Sequence, residues 1–262
     1  MNKKLIVGSF ILLALLLTRC GFSSSPSSPH LLLGNPSDAG EDPNNYLMIK
    51  PQYALSYNQE RGTPNWVSWQ LNSKWLGDAE RQDDFRSDPS LPEGWEKVTT
   101  SDYTNSGYDR GHMAPSADRT ANVEDNSATF LMTNIVPQTA KNNRGVWKDL
   151  EEYCRDLVEE GKELYITAGV YGQQKKFGDD PKITAPSSVW KVIVVMDKPV
   201  RSLRAVSKDT QVIAVDIGNR SNLSSDWRKY RVSVDQIETK TGYNLLNLVP
   251  KSIQEAIESR VD

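Results

Sequence analysis

The sequence predicts an α+β fold in which helices flank a central antiparallel sheet, and two observations indicate it. Segments with strand patterns outnumber those with helical spacing, and the two kinds do not alternate regularly as they do in doubly wound α/β proteins. The chain has 262 residues, and its 37% hydrophobic content is sufficient for one large domain with a substantial core. We therefore expect one folded domain over residues 43–262.

The first twenty residues have the pattern of an export signal. A short basic start precedes an almost unbroken apolar run over residues 5–17, which is too short to span a bilayer comfortably. Cys20 follows in a context that resembles a bacterial lipoprotein processing site, although Arg19 stands where a small residue is expected. We expect a signal peptide over residues 1–20 and a protein that is secreted, periplasmic or attached to a membrane through a lipid on Cys20. An uncleaved anchor is the alternative.

Residues 21–42 are rich in Ser, Pro, Gly and Asp, with a small apolar patch at 31–33. This composition predicts a flexible tether between the export segment and the folded domain. His30, one of the two histidines of the chain, lies in this segment, where we expect no pocket to form.

The net charge of −3 becomes −6 without the first twenty residues, which hold three basic residues and no acidic ones. Most nucleic-acid-binding proteins have a basic surface, because contacts to phosphates supply much of their affinity. The acidic balance therefore argues against a tight binder of nucleic acid, but it is compatible with an enzyme that must release its product.

Local patterns predict the strands and the short helices. Alternating apolar and polar residues indicate strands at 53–58 and 66–71, with a weaker signal at 98–100. Residues 81–92 are polar and contain the breaker Asp88-Pro89, which indicates an irregular loop. Three strong strand patterns lie in the later part of the chain, at 163–170, 189–196 and 211–217. Two segments have the pattern of short helices, at 125–132 and 234–240.

The clearest helix begins near Asn143 and ends at Gly161. Positions four apart in a helix advance by about 400°, so every fourth residue from its start lies on one side. This row consists of Asn143, Trp147, Glu151 and Arg155. The oxygen of Asn143 suits a hard cation, the carboxylate of Glu151 can accept hydrogen bonds from metal-bound waters, and Arg155 can hold a phosphate. The alternative is a helix cap at Asn143 with an exposed ion pair between Glu151 and Arg155.

The counts of cysteine and histidine exclude several kinds of site. Two cysteines, Cys20 and Cys154, are too few for a disulfide framework or a cysteine-based zinc site if Cys20 is lipidated or removed. Cys154 lies at an apolar position of the long helix, so we expect a buried structural thiol. Zinc bound by several histidines is likewise excluded, and His112 is the only candidate for a histidine base near neutral pH.

His112 ends the segment Asp109-Arg110-Gly111-His112, which follows a turn-rich stretch. A polar histidine is often structural or merely exposed, and that interpretation is the alternative here. An acid, an arginine, a glycine that permits close backbone approach and an imidazole are nevertheless an unusual group to pack together without a specific purpose.

Four segments carry a resemblance to a known family. Residues 108–119, 133–138, 142–147 and 150–151 resemble the signature of the DNA/RNA non-specific endonucleases, the ββα-metal or His-Me finger nucleases. The run 80–86 resembles the secreted cyanobacterial branch of that family. The resemblance implies a ββα-metal active-site motif within the α+β fold, and cleavage of DNA and RNA to 5′-phosphorylated fragments.

The resemblance also implies a metal centre. Asn143 would be the only direct protein ligand of a Mg²⁺ or Mn²⁺ ion, and Glu151 would order the waters of that ion. His112 would act as the general base that activates water for attack on the phosphate.

The same resemblance assigns the surrounding residues. Arg155 and Arg81 would contact the scissile phosphate, although the loop that carries Arg81 varies between branches of the family. Asp109 and Arg110 would shape the site around His112.

Two other interpretations of the sequence are a nucleic-acid-binding surface lipoprotein without turnover and a more selective enzyme. The presence of His112, Asn143 and Glu151 together argues against the first of these. The second would be a phosphodiesterase for small molecules or a site-specific endonuclease.

Overall fold

The structure is a computed structural model that describes residues 28–179, 182–197 and 202–262. The strands in these ranges are β1 (Tyr46–Ile49), β2 (Ala54–Asn58), β3 (Thr63–Leu71), β4 (Asp109–His112), β5 (Ile135–Gln138), β6 (Glu163–Tyr171), β7 (Lys175–Phe177), β8 (Ile183–Ala185), β9 (Ser188–Met196), β10 (Gln211–Gly218) and β11 (Arg231–Val232). The α-helices are α1 (Val123–Ala128), α2 (Trp147–Glu159), α3 (Val234–Thr241) and α4 (Lys251–Glu258).

Seven strands form the central sheet, in the order β1-β2-β3-β6-β9-β10-β11, and each adjacent pair is antiparallel. This arrangement confirms the predicted α+β fold with a central antiparallel sheet. Every residue of β9 is buried, so the middle of the sheet is covered on both faces. Two smaller antiparallel pairs, β4-β5 and β7-β8, lie outside this sheet.

Helix α2 covers one face of the sheet. Its residues Leu150, Cys154 and Leu157 belong to the same apolar cluster as Ile193 of β9 and Val215 of β10. Cys154 is 1% exposed and burial raises the pKa of its thiol to about 12, so it is the buried structural thiol that the sequence predicted.

Helices α3 and α4 cover the opposite face. Ile237 of α3 and Ile257 of α4 pack in a second cluster with Trp190 and Val194, whose side chains point away from α2. The sheet is therefore the middle of three layers. No helix in the three described ranges is long and apolar enough to cross a membrane.

The N-terminal segment corrects the sequence analysis. The prediction of a flexible tether at 21–42 is wrong for residues 28–42, because Leu31 and Leu33 pack in the cluster beside α3 and α4. His30 is only 2% exposed: its Nε2 lies 2.7 Å from the carbonyl oxygen of Pro51, and its Nδ1 accepts a hydrogen bond from the backbone N–H of Gln70 at 3.2 Å. The apolar patch at 31–33 was the signal of this packing. The predicted signal peptide and Cys20 lie outside the described residues.

Most predicted elements are present, with differences at their ends. The strands predicted at 53–58, 66–71, 163–170, 189–196 and 211–217 correspond to β2, β3, β6, β9 and β10, and the short helices to α1 and α3. Residues 98–100 form no strand, and the sequence analysis missed α4. Helix α2 begins at Trp147 rather than at Asn143, because Gly145 interrupts the helical backbone with φ −117° and ψ −110°.

The burial of His30 predicts a pH dependence of stability. Burial lowers the pKa of His30 to about 4 from 6.5, so between these values the unfolded chain binds a proton that the folded chain does not. The free energy of unfolding should therefore fall as the pH drops through this window, by roughly 2–3 kcal/mol from this residue alone.

The variant His30→Gln tests this expectation, because glutamine retains a donor and an acceptor but does not titrate. Urea unfolding near pH 7 and near pH 4.5 should show a smaller loss of stability in the variant than in the wild-type protein. Equal losses in both proteins would contradict the burial of His30.

Candidate active site

Strands β4 and β5 and helix α2 form a ββα unit that carries the predicted motif. The two strands pair antiparallel, with His112 opposite Ile135 and Asp109 opposite Gln138. The position of Gly111 requires a glycine for steric reasons. A Cβ at this position would lie 2.1 Å from Oε1 of the fully buried Gln138. The close approach that the sequence predicted at this glycine is therefore an approach by a side chain.

Asp109 orients the turn that precedes α2. Its Oδ2 accepts a hydrogen bond from Nδ2 of Asn143 at 2.9 Å, and the guanidinium of Arg144 binds both carboxylate oxygens at 2.7 and 2.6 Å. Against the effect of burial, hydrogen bonds from Arg144 and Asn143 hold the pKa of Asp109 below its usual value. Because Asp109 engages the amide nitrogen of Asn143, the amide oxygen is the atom left for a cation.

His112 is enclosed by two aromatic rings. The centroid of its imidazole lies 5.3 Å from that of Phe85 and 4.8 Å from that of Phe130. Its Nε2 atom is buried and has no hydrogen-bond partner among the described residues. Burial, followed by the charges of Arg81 and Arg110, lowers the pKa of His112 to about 3. The imidazole is therefore neutral at physiological pH, the form that a general base requires.

The two arginines beside His112 stack on the same aromatic rings. The guanidinium of Arg110 lies 4.3 Å from the centroid of Phe85, and that of Arg81 lies 4.7 Å from the centroid of Phe130. Arg81 also donates a hydrogen bond to Oγ of Ser116 at 2.9 Å. Its Nη2 also pairs with Oδ1 of the exposed Asp83 at 3.2 Å, so a bound anion would compete with that carboxylate for Arg81. Stacking fixes the planes of both guanidinium groups.

Glu151 and Arg155 do not form the exposed ion pair that was the alternative for this helix. Nη1 of Arg155 lies 3.0 Å from Oδ1 of Asp118, whereas Oε1 of Glu151 lies 3.7 Å from Nζ of Lys191. Burial raises the pKa of Glu151 to about 7, against the opposing attraction of Lys191. Both side chains are therefore held by residues outside α2.

An open cleft of about 370 Å³ brings some of the predicted residues together. Its lining includes Arg81, Asp109, Arg110 and Asn143, with Arg144 beside them. His112, Glu151 and Arg155 are absent from its lining: His112 lies behind Phe85, and Asp118 holds Arg155.

The side chains at this site fit a divalent cation that keeps most of its water. The amide oxygen of Asn143 and the carboxylate of Glu151 are hard oxygen donors, which Mg²⁺ and Mn²⁺ prefer. In the described part of the chain, the one group of three acidic side chains within ligand distance of one another lies elsewhere, on α3 and α4. The oxygen donors of Asn143 and Glu151 therefore suit a divalent cation of this kind.

Comparison with known proteins agrees with this geometry. Residues 36–252 match the model of the DNA/RNA non-specific endonucleases. The chain belongs to that family. It is 59% identical to a nuclease of Nostoc sp. (strain PCC 7120) over 242 residues, and this alignment covers 91% of this chain and 88% of that protein. The recognition made from the motifs and from the cyanobacterial resemblance is confirmed.

More distant proteins are also similar to this chain. The chain is 32% identical to the human mitochondrial nuclease EXOG over 204 residues, an alignment that covers 72% of this chain and 54% of that protein. The solved structure of the EndoG/EndoGI complex superimposes with a TM-score of 0.70 at 22% identity, and it covers 85% of this chain and 91% of the solved one. The chain is a metal-dependent nuclease by family membership.

Several residues that build the site of the nuclease were not among the predicted functional residues. Phe130 encloses the imidazole, Asp118 holds Arg155, Arg144 holds Asp109, and Lys191 contacts Glu151. Lys191 left a signal as a lone charge inside the apolar strand predicted at 189–196. Asp118 and Arg144 lie in the recognised segments 108–119 and 142–147, but the sequence did not show which side chains they hold. Phe130 lies in the segment predicted as a short helix at 125–132, where nothing in the sequence marked it as part of a site.

The contact at Gly111 predicts the effect of adding one methyl group. In Gly111→Ala the new Cβ would collide with the buried side chain of Gln138, so we expect a loss of about 1–3 kcal/mol in stability. Activity should fall as well, because the displaced strand carries Asp109 and His112. Gly40→Ala is the matched control, since no heavy atom lies within 4 Å of its added Cβ. Thermal unfolding that is equal in the two variants would contradict the steric argument.

Proposed function

We propose that the nuclease hydrolyses phosphodiester bonds of DNA and RNA with a water molecule that His112 deprotonates, leaving 5′-phosphorylated products. The observation that carries this proposal is a buried imidazole between two aromatic rings that each bear a stacked arginine, with Nε2 lacking a partner among the described residues. Burial is the larger cause of the lowered pKa of His112, and a phosphate bound at Arg81 and Arg110 would remove the smaller part of the shift that their charges cause. The base would then be strongest when substrate is in place.

The two arginines that stack on aromatic rings support binding of the scissile phosphate. Arg81 and Arg110 line the cleft, whereas Arg155 of α2 lies outside its lining and is held by Asp118. Guanidinium groups in fixed planes stabilise the additional negative charge of the transition state. Contacts confined to phosphates carry no sequence information, which accounts for broad specificity.

Asn143 and Glu151 would hold the metal ion, which we propose to be Mg²⁺ or Mn²⁺. Asn143 would be the direct ligand through the oxygen that its bond to Asp109 leaves available, and Glu151 would order bound waters. Such an ion, when bound, stabilises charge on the phosphoryl oxygen and on the departing 3′ oxygen. The roles of Asp109 and Arg144 are to hold the amide of Asn143 in this orientation.

A plasmid and an RNA transcript, each incubated with the protein and Mg²⁺ with or without EDTA, test the function. We expect EDTA-sensitive degradation of both polymers to a continuous range of fragments with 5′-phosphates. A protein that retained both polymers without cleaving them would be a nucleic-acid-binding lipoprotein, and a few discrete bands would indicate a selective enzyme.

We also propose that the nuclease is exported, with its N-terminus removed or lipidated at Cys20. The basic start and the apolar run at 5–17 support export, and the context of Cys20 supports lipidation despite Arg19. Mass spectrometry of the mature N-terminus tests both points, since an unmodified Met1 on cytoplasmic protein would contradict export.

Replacement of His112 tests the base. We use His112→Gln because alanine would leave a cavity between Phe85 and Phe130. Hydrolysis of plasmid should slow by about 10²–10⁴-fold while the melting temperature changes little. The control is His30→Gln, which removes the other histidine. Cleavage by His112→Gln at the rate of this control would exclude His112 as the base.

Replacement of Asn143 tests the ligand. In Asn143→Ala the oxygen donor is lost, so we expect Mn²⁺ affinity, measured by calorimetry, and activity at low Mn²⁺ to fall about tenfold or more. Lys141→Ala alters a neighbouring exposed residue and should leave Mn²⁺ affinity unchanged. Equal Mn²⁺ affinity in both variants would remove Asn143 from the ligand role.

A further inference from the structure

We infer that Lys191 is a positioning residue for the reaction and that it acts through Glu151 from beneath helix α2. The inference rests on the role proposed above for Glu151, and it concerns a residue that belongs to none of the recognised motifs. It links the middle of the central sheet to the row of Trp147, Glu151 and Arg155 on α2, a row that no longer includes Asn143 because Gly145 interrupts the helix before Trp147.

Lys191 is an unusual residue for its place. It lies in the middle of β9, opposite Ala168 on one neighbouring strand and Val215 on the other, both of which belong to the apolar cluster under α2. Its side chain is only 1% exposed. An ammonium group in such surroundings costs several kcal/mol unless other groups compensate its charge. A lysine here therefore requires a specific set of partners.

The partners of Lys191 are consecutive members of the row on α2. Its Nζ lies 4.2 Å from the centroid of the Trp147 ring and 3.7 Å from Oε1 of Glu151. Trp69 of β3, which is separated from β9 by β6, presents its ring at 5.6 Å from the same atom. Because Trp147 and Glu151 are one turn apart, a single ammonium group contacts both and fixes their relative placement.

The geometry leaves Glu151 able to act on its other side. The contact with Lys191 is to Oε1 and is longer than a hydrogen bond, while the side chain of Glu151 retains 13% exposure. Glu151 is the only carboxylate that pairs with Lys191 among the described residues. Lys191 thus holds one carboxylate oxygen below the helix, so that the other can face the waters of a metal ion.

The test compares Lys191→Met with Lys148→Met. Methionine keeps most of the length of the lysine side chain without its charge. Lys148 is the matched control, because it pairs with Glu152 of the same helix at 3.1 Å but on the exposed side. We expect Lys191→Met to weaken Mn²⁺ binding and to lower kcat by about 10–100-fold, with KM for an oligonucleotide within about twofold of wild type. Lys148→Met should change none of these quantities.

A double-mutant cycle with Glu151→Gln shows whether Lys191 acts through Glu151. In the Glu151→Gln background, Lys191→Met should cause no further loss of kcat or Mn²⁺ affinity. The inference is overturned if Lys191→Met lowers only the melting temperature, or if it lowers kcat by the same factor in both backgrounds. Should Lys191→Met fail to fold, Lys191→Gln, which also removes the charge, takes its place in the same cycle with the same expected coupling.

The cycle also separates this inference from the role of Glu151. If Glu151→Gln keeps wild-type kcat and Mn²⁺ affinity, the proposed role of Glu151 is wrong and the positioning role of Lys191 falls with it. If Glu151→Gln is impaired and Lys191→Met is not, the role of Glu151 stands and the inference about Lys191 alone is wrong.

Discussion

The buried carboxylate of Asp118 is the interaction on which the arrangement of the site depends. Its Oδ1 accepts a hydrogen bond from Arg155 of α2 at 3.0 Å, and its Oδ2 accepts one from the indole of Trp69 in the central sheet at 3.0 Å. Its side chain is only 2% exposed, and a buried carboxylate is stable only when such partners are in place. Asp118 therefore fastens the helix, the sheet and the turn that follows His112 at one point.

The next residue continues this attachment in another direction. Arg119 is fully buried and donates hydrogen bonds to the backbone oxygens of Gln52 and Gln70, with its guanidinium 4.1 Å from the ring centroid of Trp75. Two consecutive side chains thus bind the active-site turn to α2 and to the segments around β2 and β3. Catalytic groups need placement within a fraction of an ångström, and this double attachment provides a rigid support for them.

The charges around His112 differ in sign from the chain as a whole. The net charge is negative, yet three arginines line the cleft against two acidic residues, Asp83 and Asp109, which pair with Arg81 and Arg144 and leave Arg110 as the surplus positive charge. A local positive field can bind a phosphate while the acidic remainder of the surface limits retention of the polymer. The total charge was therefore a weak guide to the substrate, because affinity for one phosphate depends on the nearest side chains.

The sequence alone was sufficient for the fold class, five strands of the central sheet, helix α2 and the motif from Asp109 to His112. These features depend on local periodicity and on residues close together in the chain, which a linear pattern records. Tertiary structure alone decided that Asp118 holds Arg155, that Lys191 lies beneath Glu151 and that His30 is buried. Each of these contacts joins residues distant in sequence, and burial against a partner from another layer, rather than residue type or spacing, determines the charge state and orientation of the side chains involved.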